Sequence, residues 1–318
     1  MNQNILSANI TFYSLFGAWG KTGINCFVLI TGYFMCNSNI TLQKFCKLLL
    51  EVYLYKILIF IVFWIFGYEV MSLQSLIRLA IPVSTVADNF TGCFILFWLT
   101  IPFLNILIKN ISQKQHLCLL ALSLAIYVLL PLLPYNRVVM NYVTWFIVLY
   151  FISSYIRLYE LQLFSTRTWG GLSILFVITS MISVLLCLRF NLNPYWFVSD
   201  SNAILAVLTA ISSFMFFKDV KIPYSKFINT LGASTFGVLL IHANSDAMRT
   251  WLWKDLLNNV GWFDSSLGMI VLHSIVSILL IYAICTLIDW LRIQLLEKRF
   301  FSRYGDMIDK LQLKIFGS

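Results

Sequence analysis

Charge is what this chain lacks. Only 11% of its 318 residues are Asp, Glu, Lys or Arg, against 60% hydrophobic, and its mean hydropathy is +0.85. A water-soluble domain needs far more charge to cover its surface, so that class is excluded. Familiar reaction signatures are missing as well. There is no P-loop, no Gly-x-Ser-x-Gly and no His-Glu-x-x-His, so ATP-driven transport and the common hydrolase chemistries have no support. The seven cysteines (Cys26, Cys36, Cys46, Cys93, Cys118, Cys187 and Cys285) include no Cys-x-x-Cys pair. They read as small buried hydrophobes, not as a metal or disulfide set. Met1-Asn2-Gln3-Asn4 places no basic segment ahead of an apolar core, and a cleaved signal peptide is not expected.

What the chain has instead is apolar runs of membrane-spanning length from end to end. They lie at Gly17–Met35, Phe45–Phe66, Thr91–Ile108, Leu117–Leu133, Tyr142–Ile156, Leu172–Leu188, Ala203–Phe217, Leu231–His242 continuing toward Met248, and Leu267–Trp290. A span takes about 20 residues, so the reading is an all-α, polytopic integral membrane bundle of about nine transmembrane helices. A short outer segment over 1–16 precedes the membrane domain at 17–290, and a basic amphipathic tail follows at 291–318. Met71–Ala80 reads as an interfacial amphipathic segment, and Trp251, Trp253 and Trp262 as interfacial anchors.

The net charge of +9 does not point to nucleic acid, because the cations form no single patch beside exposed aromatics and sit mostly in the gaps on one side of the membrane. Lys44, Lys47, Lys109, Lys114, Arg157, Arg167, Lys218, Lys221, Lys226 and six cations of the tail fall on one side. Lys21, Arg78, Arg137, Arg189, Arg249 and Lys254 fall on the other. Fifteen against six puts the first side, and the carboxyl terminus, in the cytoplasm of a plasma-membrane protein. The tail from Leu291 is expected on the anionic inner leaflet. The same count leaves the amino terminus outside, as though a span preceded it.

Ionisable groups at membrane depth are costly and so are the first candidates for function. His242 lies eleven residues into its run, roughly 16 Å deep at 1.5 Å per residue. If that helix continues, Asp246 at i+4 and Arg249 at i+7 share its face, and a His–carboxylate pair makes a general base. A structural hydrogen bond is the alternative. Lys21 and Asn25 open the first run among glycines and face the outer half of the bundle. Gly32 and Tyr33 follow, Gly32 reading equally as a helix contact or a substrate position. Glu51 and Lys56, five apart, read as a loose internal ion pair. His116 is placed in the headgroup region and His273 in a packed, hydrogen-bonded position. Asp88, Asp200 and Asp264 read as solvated. No metal site is expected.

The residues carry a resemblance. Gly20-Lys-Thr-Gly-Ile-Asn-Cys-Phe-Val-Leu-Ile-Thr-Gly-Tyr-Phe34, with its Gly-rich entry and Phe-x-x-x-Thr-Gly-Tyr-Phe ending, resembles the signature after the first helix of the acyltransferase 3 family. Ile228-Asn-Thr-Leu-Gly-Ala-Ser-Thr-Phe-Gly-Val-Leu-Leu-Ile-His242 is similar to that family's late helix. Trp145–Phe151 with Tyr155-Ile-Arg157, and Leu287–Glu297, also fit, so the likeness runs from about Phe16 to Lys298. It implies a bundle of about ten helices that moves an acyl group, often acetyl, from acyl-coenzyme A to a hydroxyl of an envelope carbohydrate. No bound cofactor is implied; the partners are the bilayer, acyl-coenzyme A and the glycan. His242 would be catalytic, and Lys21, Asn25, Tyr33, Asp246 and Arg249 would bind substrate. The likeness fails at the amino terminus. The family's first helix carries an Arg and the His regarded as its base, and Met1–Ser14 supplies neither. A start set too late, a truncated or split gene, and a variant that uses His242 are the three explanations. A glycan or lipid-precursor transporter and a non-catalytic remnant stand as alternative functions.

Overall fold

The computed structural model describes residues 3–83, 90–133 and 140–316, and every regular element among them is helical. In chain order these are α1 (Gln3–Phe16), α2 (Gly20–Met35), α3 (Leu42–Ile65), α4 (Leu73–Ala80), α5 (Phe90–Asn110), α6 (Gln113–Leu124), α7 (Tyr142–Leu158), α8 (Thr166–Arg189) and α9 (Ile204–Asp219). There follow α10 (Lys226–Ala233), α11 (Thr235–His242), α12 (Asp246–Thr250), α13 (Asn259–Trp262), α14 (Leu267–Arg292) and α15 (Lys298–Phe316). Asp88 and Arg137, read above as an outer-loop acid and an outer cation, lie outside the described residues.

Polar side chains set the helix starts. Thr41, Ser112, Asn141, Ser165, Ser225 and Ser245 each accept a hydrogen bond from a backbone N–H in the first turn of the helix that follows, satisfying a donor the helix cannot. Ser72 and Ser75 form a reciprocal capping box on α4, the helix expected at Met71–Ala80. Asn191, left-handed at φ 55°, ends α8.

Among the described residues, five helical stretches are long and apolar enough to cross a membrane: Leu42–Ile65, Phe90–Asn110, Gln113–Leu132, Thr166–Arg189 and Leu267–Lys314. Much of their exposed surface is Leu, Ile, Val and Phe, as a lipid solvent requires. The other four apolar runs form shorter helices. α2 and α9 have 16 residues each and α7 has 17. The Leu231 run is split at Ser234 into α10 and α11, of eight residues each. Gln3–Phe16 is helical and joins α2 through a 3₁₀ turn at Gly17–Trp19.

The helices sort into two compact units. One comprises residues 1–9, 40–86 and 223–318, the other 10–39 and 87–222. In the second, α7 is the axis. Eleven of its seventeen residues are buried, and α2, α5 and α6 pack on it while α8 packs on α9. A helix enclosed on all sides must be apolar all round, which explains why Trp145–Ile156 shows no polar stripe. In the first unit, α11 packs on α3 and α14. Asn9, midway along α1, belongs to this unit and donates to the carbonyls of Phe263 and Ser265 at 2.9 and 3.0 Å.

Candidate functional site

Lys21, Asn25 and Tyr33 recur at multiples of four along α2, which puts them on one face. In the second unit that face meets α7. Lys21 donates to the hydroxyl of Tyr142, and its ammonium lies 5.1 Å from that ring's centre. Asn25 is fully buried and uses both ends of its amide. Nδ2 donates to the Ser201 carbonyl at 2.7 Å, and Oδ1 accepts from Trp145 Nε1 at 3.0 Å. Tyr33 accepts a 2.8 Å hydrogen bond from Arg157 Nη1, with the guanidinium 4.8 Å from its ring centre.

Gly32 settles as a helix contact. A Cβ there would stand 2.2 Å from Ser153 Oγ and 3.1 Å from Tyr150 Cα, so only glycine lets α2 and α7 approach this closely. Tyr150 in turn donates to Asn105 Oδ1, whose Nδ2 reaches the Met35 carbonyl at 3.2 Å. These polar groups are consumed in holding α2, α5 and α7 together.

In the first unit the expected single face of His242, Asp246 and Arg249 does not form. α11 stops at His242, and Ser245 caps a separate helix, α12. The reason is local. Asn244 Nδ2 turns back to the Leu240 carbonyl at 2.9 Å, and Ser245 Oγ accepts from Met248 N at 3.1 Å. Side chains that bond the backbone in this way end helices. Asp246 is exposed and pairs with Arg249 at 3.2 Å, a surface pair worth roughly 0–1 kcal/mol.

His242 itself is half-buried at the carboxyl end of α11, with Nδ1 2.6 Å from the Val238 carbonyl. A carbonyl only accepts, so Nδ1 carries the proton. In the neutral ring Nε2 then holds the free lone pair, the arrangement of a general base.

The largest polar cluster was only partly foreseen. Lys56 does not pair with Glu51; its Nζ donates to the Arg78 carbonyl at 3.1 Å. Glu51 pairs with Arg292 Nη2 at 3.2 Å. Arg292 also reaches Asp289 Oδ1 at 2.7 Å through Nε and Glu297 Oε2 at 2.6 Å through Nη1. Tyr55 donates to the same Asp289 oxygen at 2.8 Å, and Lys47 pairs with Glu297 at 2.6 Å. Asp289 is fully buried and lies against Gly237, where a Cβ would stand 2.2 Å from Oδ1. Arg292 and Glu297 are five apart, a spacing an α-helix does not stack. The π turn at Ile293–Glu297 between α14 and α15 brings them together. The signal available in the sequence was a charged Asp289–Arg292 pair inside an apolar helix.

Three carboxylates face two cations here. His116 is fully buried within the protein. Its Nε2 is 3.1 Å from the Phe151 carbonyl, and Phe151, Tyr155 and Tyr159 meet its ring edge to face. His273 is packed and bonded, with Nε2 3.0 Å from the Leu257 carbonyl and its ring stacked on Trp262 at 4.8 Å. Trp251 meets Phe63 edge-on at 5.7 Å. Asp200 and Asp264 are exposed.

No family model, curated protein or solved structure matches this chain.

Proposed function

We propose that this chain is a membrane-embedded acyltransferase that moves an acyl group, most simply acetyl, from acyl-coenzyme A to a hydroxyl of a cell-envelope carbohydrate. One observation carries the reading: the four segments that resemble acyltransferase 3 proteins pair off within the units. Gly20–Phe34 meets Trp145–Arg157 through Asn25 with Trp145, Gly32 with Ser153 and Tyr33 with Arg157. Ile228–His242 meets Leu287–Glu297 through Gly237 with Asp289.

His242 is the base. Its Nε2 takes the proton of the sugar hydroxyl as that oxygen attacks the thioester carbonyl. The C–S bond breaks, the ester forms, and the proton passes to the departing thiolate. Arg249 keeps a substrate-side role, since its weak surface pair with Asp246 yields to a stronger anion. Asn25 and Tyr33 support the scaffold in this reading, and Lys21 is held by Tyr142.

Transfer of label from acetyl-coenzyme A to envelope glycan, in membranes containing the 318-residue chain, tests the proposal. Label should appear in the glycan and fall by about 10²-fold or more in His242→Gln, with thermal unfolding in detergent showing that the variant folds. No transfer by the folded wild-type chain overturns it. The buried charge cluster favours a second reading, a transporter of a glycan or lipid precursor, because intramembrane charges also mark transport pathways. Glycan movement that does not depend on coenzyme A would select that reading.

A further inference from the structure

The carboxyl-terminal helix α15 does not simply prolong α14. Along the contact with α3, Arg292 pairs with Glu51, Glu297 with Lys47, Gly305 packs at Gln43, and Gln312 Oε1 accepts from Leu42 N at 2.8 Å. Twenty residues pass on the α14–α15 side while α3 advances nine. At 1.5 Å per residue that is about 30 Å against about 14 Å, so α15 crosses the start of α3 instead of following it.

Its faces are unequal. Gly305, Ile308 and Gln312 turn toward α3. Phe300, Tyr304, Met307 and Leu311, spaced i, i+4, i+7 and i+11, are exposed and form an apolar stripe that α3 does not cover. Beside that stripe run Arg299, Arg303, Lys310 and Lys314, all exposed. None of the four forms an ion pair among the described residues. Of the two acids of the helix, Asp306 borders this edge, three residues after Arg303 and four before Lys310, and Asp309 lies on the opposite side. An apolar stripe bordered by cations without ion pairs, Arg303 lying 5.5 Å from the Tyr304 ring centre, and continuous in chain with a membrane-length helix, matches the surface of a bilayer that carries anionic headgroups.

We propose that α15 docks its Phe300–Leu311 stripe into an anionic lipid surface, with Arg299, Arg303, Lys310 and Lys314 on the headgroups. The docking does not depend on which reaction the membrane domain performs.

The full chain in nanodiscs, carrying Met307→Cys in a Cys46→Ser/Cys118→Ser background, is labelled with a water-soluble maleimide. Discs with an anionic phospholipid are compared with purely zwitterionic ones, and Ser302→Cys on the far side of the helix is the control. Labelling at 307 should slow by at least about tenfold in the anionic discs, while labelling at 302 stays constant. The protection should vanish in Arg303→Gln/Lys310→Gln/Lys314→Gln, whose unchanged elution profile reports the fold. Equal rates in both lipids overturn the proposal. So does protection that persists in detergent and grows with protein concentration, which would assign the stripe to a second copy of the chain.

Discussion

Gly237 and Asp289 show how a single missing side chain organises a unit. The Asp289 carboxylate occupies the volume that any Cβ at 237 would need. Gly237→Ala should therefore cost about 1–3 kcal/mol, read as a lowered unfolding midpoint in detergent. Gly268→Ala, with open space around it, should leave that midpoint unchanged. Arg292 is the other fulcrum. Arg292→Met strands Glu51, Asp289 and Glu297 without their shared cation, at about 3–5 kcal/mol. The triple variant Glu51→Gln/Asp289→Asn/Arg292→Met should lose less than the single one, because the burden is uncompensated charge and not lost contact. Equal losses would show that packing dominates. At this scale the sequence identified groups better than partners. Asn25 and Tyr33 were visible as polar residues in an apolar run, but their partners lie 120 or more positions away, and no local spacing encodes such pairs.

Among the elements, the long spans were the most legible, since hydropathy over about 20 residues is a sum that single residues barely alter. α3, α5 and α14 begin and end within three residues of their apolar runs, and α8 ends within one residue of its run but starts six earlier. The short elements escaped because side-chain bonding to the backbone overrides hydropathy. Asn244 and Ser245 divide α11 from α12 and so separate His242 from Asp246 and Arg249. Ser245→Ala should cost roughly 1 kcal/mol and raise hydrogen exchange over Asp246–Thr250, with Val238–His242 unaffected. Exchange that rises equally in both helices would mean that they behave as one. The π turn at Ile293–Glu297 left no trace in composition, yet it decides which face Glu297 presents.

For the whole molecule, the order of the chain matters as much as its contacts. Residues 40–86 belong to the unit that also contains 223–318, although residues 87–222 lie between them and belong to the other unit. Hydropathy shows where the chain enters a membrane, but not which spans become neighbours. Glu51 must wait for Arg292, which is synthesised 241 positions later. At about 5–20 residues per second that is roughly ten to fifty seconds. Throughout this interval Glu51 of a nascent α3 has only Lys47, one turn earlier in the same helix, to set against it, so its full set of partners is complete only when the last long helix arrives. A chain stopped after Thr286 should keep α3 in that incomplete state, with Cys46 near its start labelled faster by a soluble maleimide than in the full chain. Equal labelling would mean that α3 settles without its late partner. Assembly of this unit is thus timed by its own carboxyl end, and a ribosome that stalls late leaves behind an unfinished helix from the beginning of the chain.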